Sequence, residues 1–277
     1  MPLPVVDTRP LFRPLIGEIV SVLRALSPDD WLRPTVAGSW RVRDVAAHLL
    51  DTALRRLSSG RDGWRSLDGP RLTGAEPDFV ARINELNAIW IRATDRLSPR
   101  VLTDLYAVAG AGLAEWFETA SLEAPAAIAV SWTGDSRSAA WLDIGREFTE
   151  VWHHGAQIRD AVGAGAFPDP AWLHAVLEIA LHALPHAYGR LHGEPGLAVI
   201  VEISGPAGGT WTLRYERRWD IDEGESRRAA ARATIEDEAA WRLWFNALPP
   251  SAAESAVRIE GDPSLVRPLL SARSVIV

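Results

Sequence analysis

An acidic and an imidazole side chain lie four residues apart in the segment from Glu147 to His154. Glu150 and His154 have no glycine or proline between them, and the first glycine is Gly155. If the segment is helical, both side chains leave the same face one turn apart. A carboxylate and an imidazole in this arrangement can bind one divalent metal ion. The spacing therefore predicts two ligands of a metal site, and His48 is the best candidate for a third.

The spacing also permits simpler interpretations. Glu150 can pair with Arg146 four residues earlier on a solvated helix face, a common and weak interaction. His154 can be a buried histidine that is hydrogen-bonded to a carbonyl group. Glu147 falls on the same predicted face and can orient or replace a ligand. His153 points about 100° away from His154, so both cannot be ligands on one face.

A second stripe of candidate ligands has the same spacing. His174, Glu178, His182 and His186 follow one another at intervals of four residues. Pro185 interrupts a helix just before the last of them, and each four-residue step drifts about 40° around the helix. The alternative is a polar helix face that lines a groove between domains or faces solvent. Spacing alone does not decide between the two stripes.

The composition excludes several kinds of chemistry. The chain of 277 residues has no cysteine, so a thiolate metal site and a cysteine nucleophile are excluded. All 29 basic residues are arginine, which removes lysine-based Schiff-base chemistry. The net charge of −7 argues against a nucleic-acid partner. We find neither a long apolar run nor a secretory signal pattern, and we expect a cytoplasmic protein without a membrane-spanning segment.

The periodicity of apolar residues predicts helices in the first two-thirds of the chain and a mixture of strands and helices after it. The predicted helices are 9–26, 43–57, 78–97, 99–122, 138–162 and 170–191, the last interrupted by Pro185. Strands are predicted at 197–203, 210–215, 257–259 and 274–277, and further helices at 239–248 and 263–270. The change in period predicts two domains, residues 1–193 and 194–277.

Several segments resemble one known family. The segment WLRPTVAGSWRVRDVAAHL at 31–49 and the segment EVWHHGAQIR at 150–159 carry the resemblance most specifically. NELN at 84–87, VSW at 130–132, GGTWTL at 208–213 and IEGD at 259–262 match more loosely. Together these segments are similar to the DinB-like proteins, and more narrowly to mycothiol-dependent maleylpyruvate isomerase.

The resemblance implies an α+β protein, with an N-terminal four-helix bundle of up-down-down-up topology and a smaller C-terminal mixed α/β domain. It implies a divalent metal, most often zinc, on His48, Glu150 and His154. Gln157 stands where relatives often carry an acidic residue after the last ligand. The family's C-terminal domain also implies an arginine that contacts the substrate, for which the candidates are Arg214, Arg217 and Arg218.

The function that this resemblance implies is a metal-dependent enzyme with a low-molecular-weight thiol such as mycothiol as cosubstrate. Zinc favours the thiolate, which attacks an electrophilic small molecule in an isomerisation or a transfer to sulfur. The missing cysteines agree with a sulfur that comes from outside. Alternatives are a hydrolase in which the same triad activates water, and a non-catalytic ligand-binding or regulatory protein. We expect a monomer or a homodimer.

Overall fold

The chain forms two compact units in the computed structural model, which describes residues 3–64, 79–126, 130–134 and 137–274. The helical unit comprises residues 7–129 and 137–168. The sheet unit comprises residues 1–6, 130–136 and 169–277. No helix among the described residues is long and apolar enough to cross a membrane.

Five long helices make up the helical unit. They are α1 (Phe12–Ala25), α2 (Val42–Arg55), α3 (Phe79–Thr94), α4 (Pro99–Glu118) and α5 (Ala140–Val162). Local capping explains several of their ends. The Asp44 carboxylate accepts from the amide of Arg41 at the start of α2, and Ser98 caps α4 through the amide of Val101. Gly163 ends α5 in the left-handed region at φ 72°.

Four of these helices form a closed ring, in which each packs against two others. The ring order is α1, α4, α2, α5, and α3 packs against the outside of α2. α1 runs antiparallel to α4, because ion pairs join opposite ends of the two helices: Arg13–Glu118 and Arg24–Asp104. α1 runs parallel to α5. Phe12 contacts Phe148, and seven residues later in both helices Ile19 lies against Gly155.

The same reasoning gives the direction of α2. Near its start, Arg43 donates to the carbonyl of Leu97, just before α4. Beyond its end, Arg56 lies over Trp116 near the end of α4, so α2 and α4 are parallel. α1 and α5 point one way and α2 and α4 the other, which confirms the up-down-down-up bundle. After Arg55 the helix widens into a π-helical segment, Arg56–Arg61.

The sheet unit combines five strands with short helices. Its elements are α6 (Pro170–Leu181), α7 (Leu184–Ala187), β1 (Ala198–Ser204), β2 (Gly209–Tyr215), β3 (Trp219–Glu223), β4 (Ala231–Glu236), α8 (Asp237–Trp244), α9 (Pro250–Ala256), β5 (Val257–Gly261) and α10 (Arg267–Ser271). The strand order is β3-β2-β1-β4-β5, and only β1 and β4 pair in parallel. The core beside the sheet contains Trp211, Trp241 and Trp244, all at most 2% exposed. This mixed sheet after a helical bundle confirms the α+β class.

The predicted helices of the first two-thirds are confirmed within a few residues. Pro185 does interrupt its helix, because α6 ends at Leu181 and α7 is a separate single turn. The sequence analysis missed β3, β4 and α9, whose short segments are rich in acidic residues or alanine and have weak strand or helix patterns. The residues after the predicted helix 43–57 continue the π-helical turn as far as Arg61. Residues 275–277 of the last predicted strand lie outside the described part of the chain.

The two compact units divide the chain near residue 168. α6 belongs to the sheet unit because it packs on α8. The change in periodicity near residue 193 lies just before β1, which begins at Ala198. The division into domains at 193 stays a prediction.

Candidate metal centre

Three potential ligand atoms converge between α2 and α5. The Nε2 atom of His48 lies 3.0 Å from Oε1 of Glu150, and the Nε2 atom of His154 lies 3.3 Å from the same oxygen. The ligand atoms of all three side chains lie within 4.8 Å of one another. The antiparallel packing of α2 against α5 therefore brings His48 next to Glu150, which lies 102 residues later in the chain, and next to His154. No other group of three such residues converges in the described part of the chain.

Burial and mutual contact set the charge of this group. Burial lowers the pKa of His48, although its hydrogen bond with Glu150 partly opposes the shift. Burial alone would raise the pKa of Glu150, but the imidazoles of His154 and His48 beside its carboxylate hold that pKa well below its usual range. Near neutral pH the group therefore offers a carboxylate and an uncharged imidazole at His48, the protonation states that bind metal ions.

Gln157 fixes the orientation of His154. The Nδ1–H of His154 donates to Oε1 of Gln157 over 2.8 Å, and in the neutral imidazole this bond selects the tautomer whose lone pair is at Nε2, on the side of Glu150. The amide oxygen of Gln157 thus serves as the acceptor for this ring nitrogen. The sequence analysis did not give Gln157 this role, although its position three residues after His154 was the available signal.

The donor set fits a divalent metal ion. A nitrogen lone pair and a carboxylate oxygen that face each other at 3.3 Å repel each other unless a cation or a proton lies between them. Ligands that share a zinc ion with bonds of 2.0–2.1 Å lie roughly 3.3 Å apart in tetrahedral geometry. Two imidazoles and one carboxylate are also the ligand set of catalytic zinc sites, which keep a fourth position open. The Glu150 side chain is 21% exposed, so solvent reaches this group.

Aromatic rings border the three side chains. The Trp40 ring lies 4.9 Å from the His48 ring and 6.2 Å from the His154 ring, measured between centroids. Trp40 follows a turn through Gly38, which has a φ of 61°. The carbonyl oxygen of Trp40 accepts hydrogen bonds from the amide and the hydroxyl of Thr35, which hold its backbone in place.

His153 is not directed at the group, as its position on the helix predicts. Its Nδ1 atom lies 2.9 Å from the carbonyl oxygen of Thr149, and burial lowers its pKa to about 3. It is therefore a buried neutral histidine that belongs to the packing of α5.

A buried ionic cluster lies one to two turns before Glu150 on α5. We use the name ionic cluster for Arg56, Asp143, Arg146 and Glu147. Arg56 contacts Asp143 at 3.0 Å and Glu147 at 3.4 Å, and Arg146 contacts each of the same carboxylates at 3.0 Å. Glu147 thus pairs with arginines instead of orienting a metal ligand. The sequence analysis gave Arg56 no role, since nothing in its local pattern sets it apart.

The second histidine stripe does not converge. His174 Nδ1 lies 3.0 Å from the carbonyl oxygen of Ala207, and its Nε2 lies 3.7 Å from Glu178. His182 and His186 follow the end of α6, and burial lowers the pKa of His182 to about 4. These residues therefore form no three-ligand group.

The three arginines predicted to contact substrate lie at the hairpin between β2 and β3. Arg214 lies on β2, with its Nε atom 4.0 Å from Asp222, whereas Arg217 and Arg218 are exposed in the turn. They belong to the sheet unit, and their role in substrate binding stays a prediction.

Comparison with known proteins agrees with these observations. The sequence profile described as mycothiol maleylpyruvate isomerase N-terminal domain matches residues 12–159. A crystal structure of mycothiol-dependent maleylpyruvate isomerase is similar at 16% identity over 87% of this chain and 88% of that chain, with a TM-score of 0.48. A solution structure of sterol carrier protein domain 2 of Helicoverpa armigera is similar at 19% identity over 39% of this chain and 91% of that chain, with a TM-score of 0.26. No curated protein matches the chain.

The profile match covers more than half of the 277 residues and includes all of His48, Glu150, His154 and Gln157. The chain therefore belongs to the family of the mycothiol maleylpyruvate isomerase N-terminal domain.

Proposed function

We propose that this protein is a divalent-metal-dependent enzyme that uses a low-molecular-weight thiol of the mycothiol type for isomerisation of an electrophilic small molecule or for transfer to sulfur. The convergence of His48 Nε2, Glu150 Oε1 and His154 Nε2, in a chain of this family, carries the proposal. Zinc is the metal we propose, because two imidazoles and one carboxylate suit it.

The chain's own residues supply three things. His48, Glu150 and His154 would hold the ion, and Gln157 keeps the lone pair of His154 Nε2 available. The Trp40 ring lies beside the two imidazoles and would form an apolar wall of the site. When bound, the ion would stabilise the thiolate of the cosubstrate at its open position.

The composition supports an external thiol. Because the chain has no cysteine, a sulfur nucleophile has to come with the cosubstrate. Arginines can bind substrate carboxylates by two parallel hydrogen bonds, and we propose Arg214, Arg217 or Arg218 for this role. The protein acts, on this proposal, in the cytoplasm as a monomer or a homodimer.

The first experiment measures bound metal and then thiol-dependent turnover. We expect about one zinc ion per chain in the purified protein and its loss in His48→Ala, whereas His174→Ala serves as a matched control that retains zinc. Turnover of an electrophilic test substrate should require both the thiol and His48. Absence of bound metal, even after zinc is added, would sink the proposal. Metal-dependent turnover that needs water and no thiol would replace it with the hydrolase alternative.

A further inference from the structure

Arg56 joins the end of α2 to α5 through buried ion pairs. Its side chain is 7% exposed, and those of its partners Asp143 and Glu147 are 3% and 2% exposed. The guanidinium carbon also lies 5.7 Å and 5.6 Å from the ring centroids of Trp116 and Phe117 on α4. The guanidinium donates a hydrogen bond to Asp143 at 3.0 Å, and its Nε lies 3.4 Å from Glu147. The hydrogen bond is directional, unlike the contacts of an apolar side chain that packs equally well after a small shift.

This contact and the metal centre are two fixed points on the same pair of helices. His48 precedes Arg56 by eight residues, or roughly 12 Å along α2. On the antiparallel α5, Glu150 follows Asp143 by seven residues and Glu147 by three. The packing of α2 on α5 is therefore defined at one place by the three ligands and, one to two turns away, by the ionic cluster.

A metal site tolerates little movement between its helices. A shift of α2 by one residue relative to α5 displaces His48 by about 1.5 Å. Metal–ligand distances are held within about 0.2 Å of their ideal values. Many of the buried residues of the two helices are apolar, and the contacts of apolar side chains are not directional. The ion pairs of Arg56 are directional and resist such a shift.

We infer that Arg56 is a positioning residue of the metal centre: its ion pairs with Asp143 and Glu147 fix the position of α2 on α5 at which His48 meets Glu150 and His154. The inference rests on the proposed metal site. Arg56 pairs with Asp143 and Glu147, and on this inference it acts on the three ligands through the position of the helix.

The test compares zinc affinity and stability in matched variants. Arg56→Lys keeps the positive charge but loses the planar N–H donors of the guanidinium, whereas Arg56→Met loses both. Arg159→Met is the control, because Arg159 is also buried and lies on α5, but it binds Glu18 and the carbonyls of residues 164–166 instead of α2. Zinc affinity is measured by competition with a chromophoric chelator, and stability by urea unfolding of the metal-free proteins.

We expect zinc affinity to fall about 10- to 100-fold in both Arg56 variants, the range for residues that orient ligands, and to stay within about twofold in Arg159→Met. The direction of the change in zinc affinity distinguishes a positioning role of Arg56 from an effect of its charge alone. If Arg56 acted only through its charge, its removal would strengthen cation binding in Arg56→Met and leave Arg56→Lys unchanged. Either that pattern, or a loss of stability with unchanged zinc affinity, overturns the inference.

Two further outcomes are decided in advance. If Arg56→Met does not fold, Arg56→Lys and Asp143→Asn decide the question by the same criteria. If Arg159→Met weakens zinc binding as much as the Arg56 variants do, the effect is a general loosening of α5 and the inference is wrong. If the unsubstituted protein binds no zinc, the proposed function itself fails. That result differs from unchanged affinity in the Arg56 variants, which contradicts only the positioning role.

Discussion

Helices α5 and α6 carry glutamate and histidine at the same four-residue spacing, yet only one pair meets a third ligand. Glu150 and His154 of α5 face His48 of α2 at distances of 3.0 and 3.3 Å from one carboxylate oxygen. His174 and Glu178 of α6 lie 3.7 Å apart and converge on no third ligand within the described ranges.

The surroundings of the two helices explain the difference. α5 is buried within the ring of four helices, so its polar face must find partners on a neighbouring helix. The side chain of His174 is 42% exposed, and its Nδ1 is already bound to the backbone at Ala207. A four-residue spacing thus provides two ligands at most, and a metal centre needs an opposing element that brings the third.

The largest expected effect is a loss of zinc affinity on substitution of Glu150 but not of Glu178. We expect Glu150→Gln to weaken zinc binding at least about 100-fold, because residues outside the ligand shell alone are worth 10- to 100-fold. Glu178→Gln should change it by less than about twofold. Isothermal titration with zinc at pH 7.5 measures both. A similar loss in Glu178→Gln would mean that the α6 stripe also binds metal and would remove the contrast.

A smaller effect is expected at Gln157, which orients His154 through its side chain. Gln157→Leu removes the acceptor and should weaken zinc binding about 10- to 100-fold. Gln157→Glu retains an acceptor for the Nδ1–H of His154 and should bind zinc at least as well as the unsubstituted protein. Equal affinities in all three proteins would show that the hydrogen bond does not prepare His154 for metal.

The smallest effect concerns the buried His182 beyond α6, whose pKa burial lowers to about 4, against a partial opposing effect of Asp220. In the unfolded chain His182 has its ordinary pKa of about 6.5 and binds a proton below that pH. In the folded chain it binds the proton only near pH 4. This contribution to stability is therefore present above pH 6.5 and is lost as the pH falls towards 4.

Between pH 8 and pH 5.5 the loss from His182 amounts to about 1.4 kcal/mol. Between these two pH values we expect the free energy of unfolding to fall by about 1.4 kcal/mol less in His182→Gln than in the unsubstituted protein. Urea unfolding of the metal-free proteins measures both. The same pH dependence in both proteins would contradict the assignment. Such an effect on stability without an effect on zinc would sharpen the distinction between α5 and α6.

Many of the helices were predictable because their signals are local. The apolar stripe of α1, the cap at Asp44 and the break at Pro185 each depend on neighbours within one or two turns. β4 was not predictable from pattern, because it pairs with β1 and β5, which are distant in the chain. β3 pairs with the neighbouring β2, but its acidic residues give a weak strand pattern.

The sequence by itself determined that Glu150 and His154 share a helix face, since a helix fixes the relation between residues four apart. It also determined that any thiol must come from outside the chain, and its family motif singled out His48. Only the tertiary structure decided which histidine stripe meets a third ligand, that Gln157 orients His154, and that Arg56 ties α2 to α5. Those relations depend on how helices far apart in the chain pack, and the distances within a metal site are too exacting for local spacing to determine.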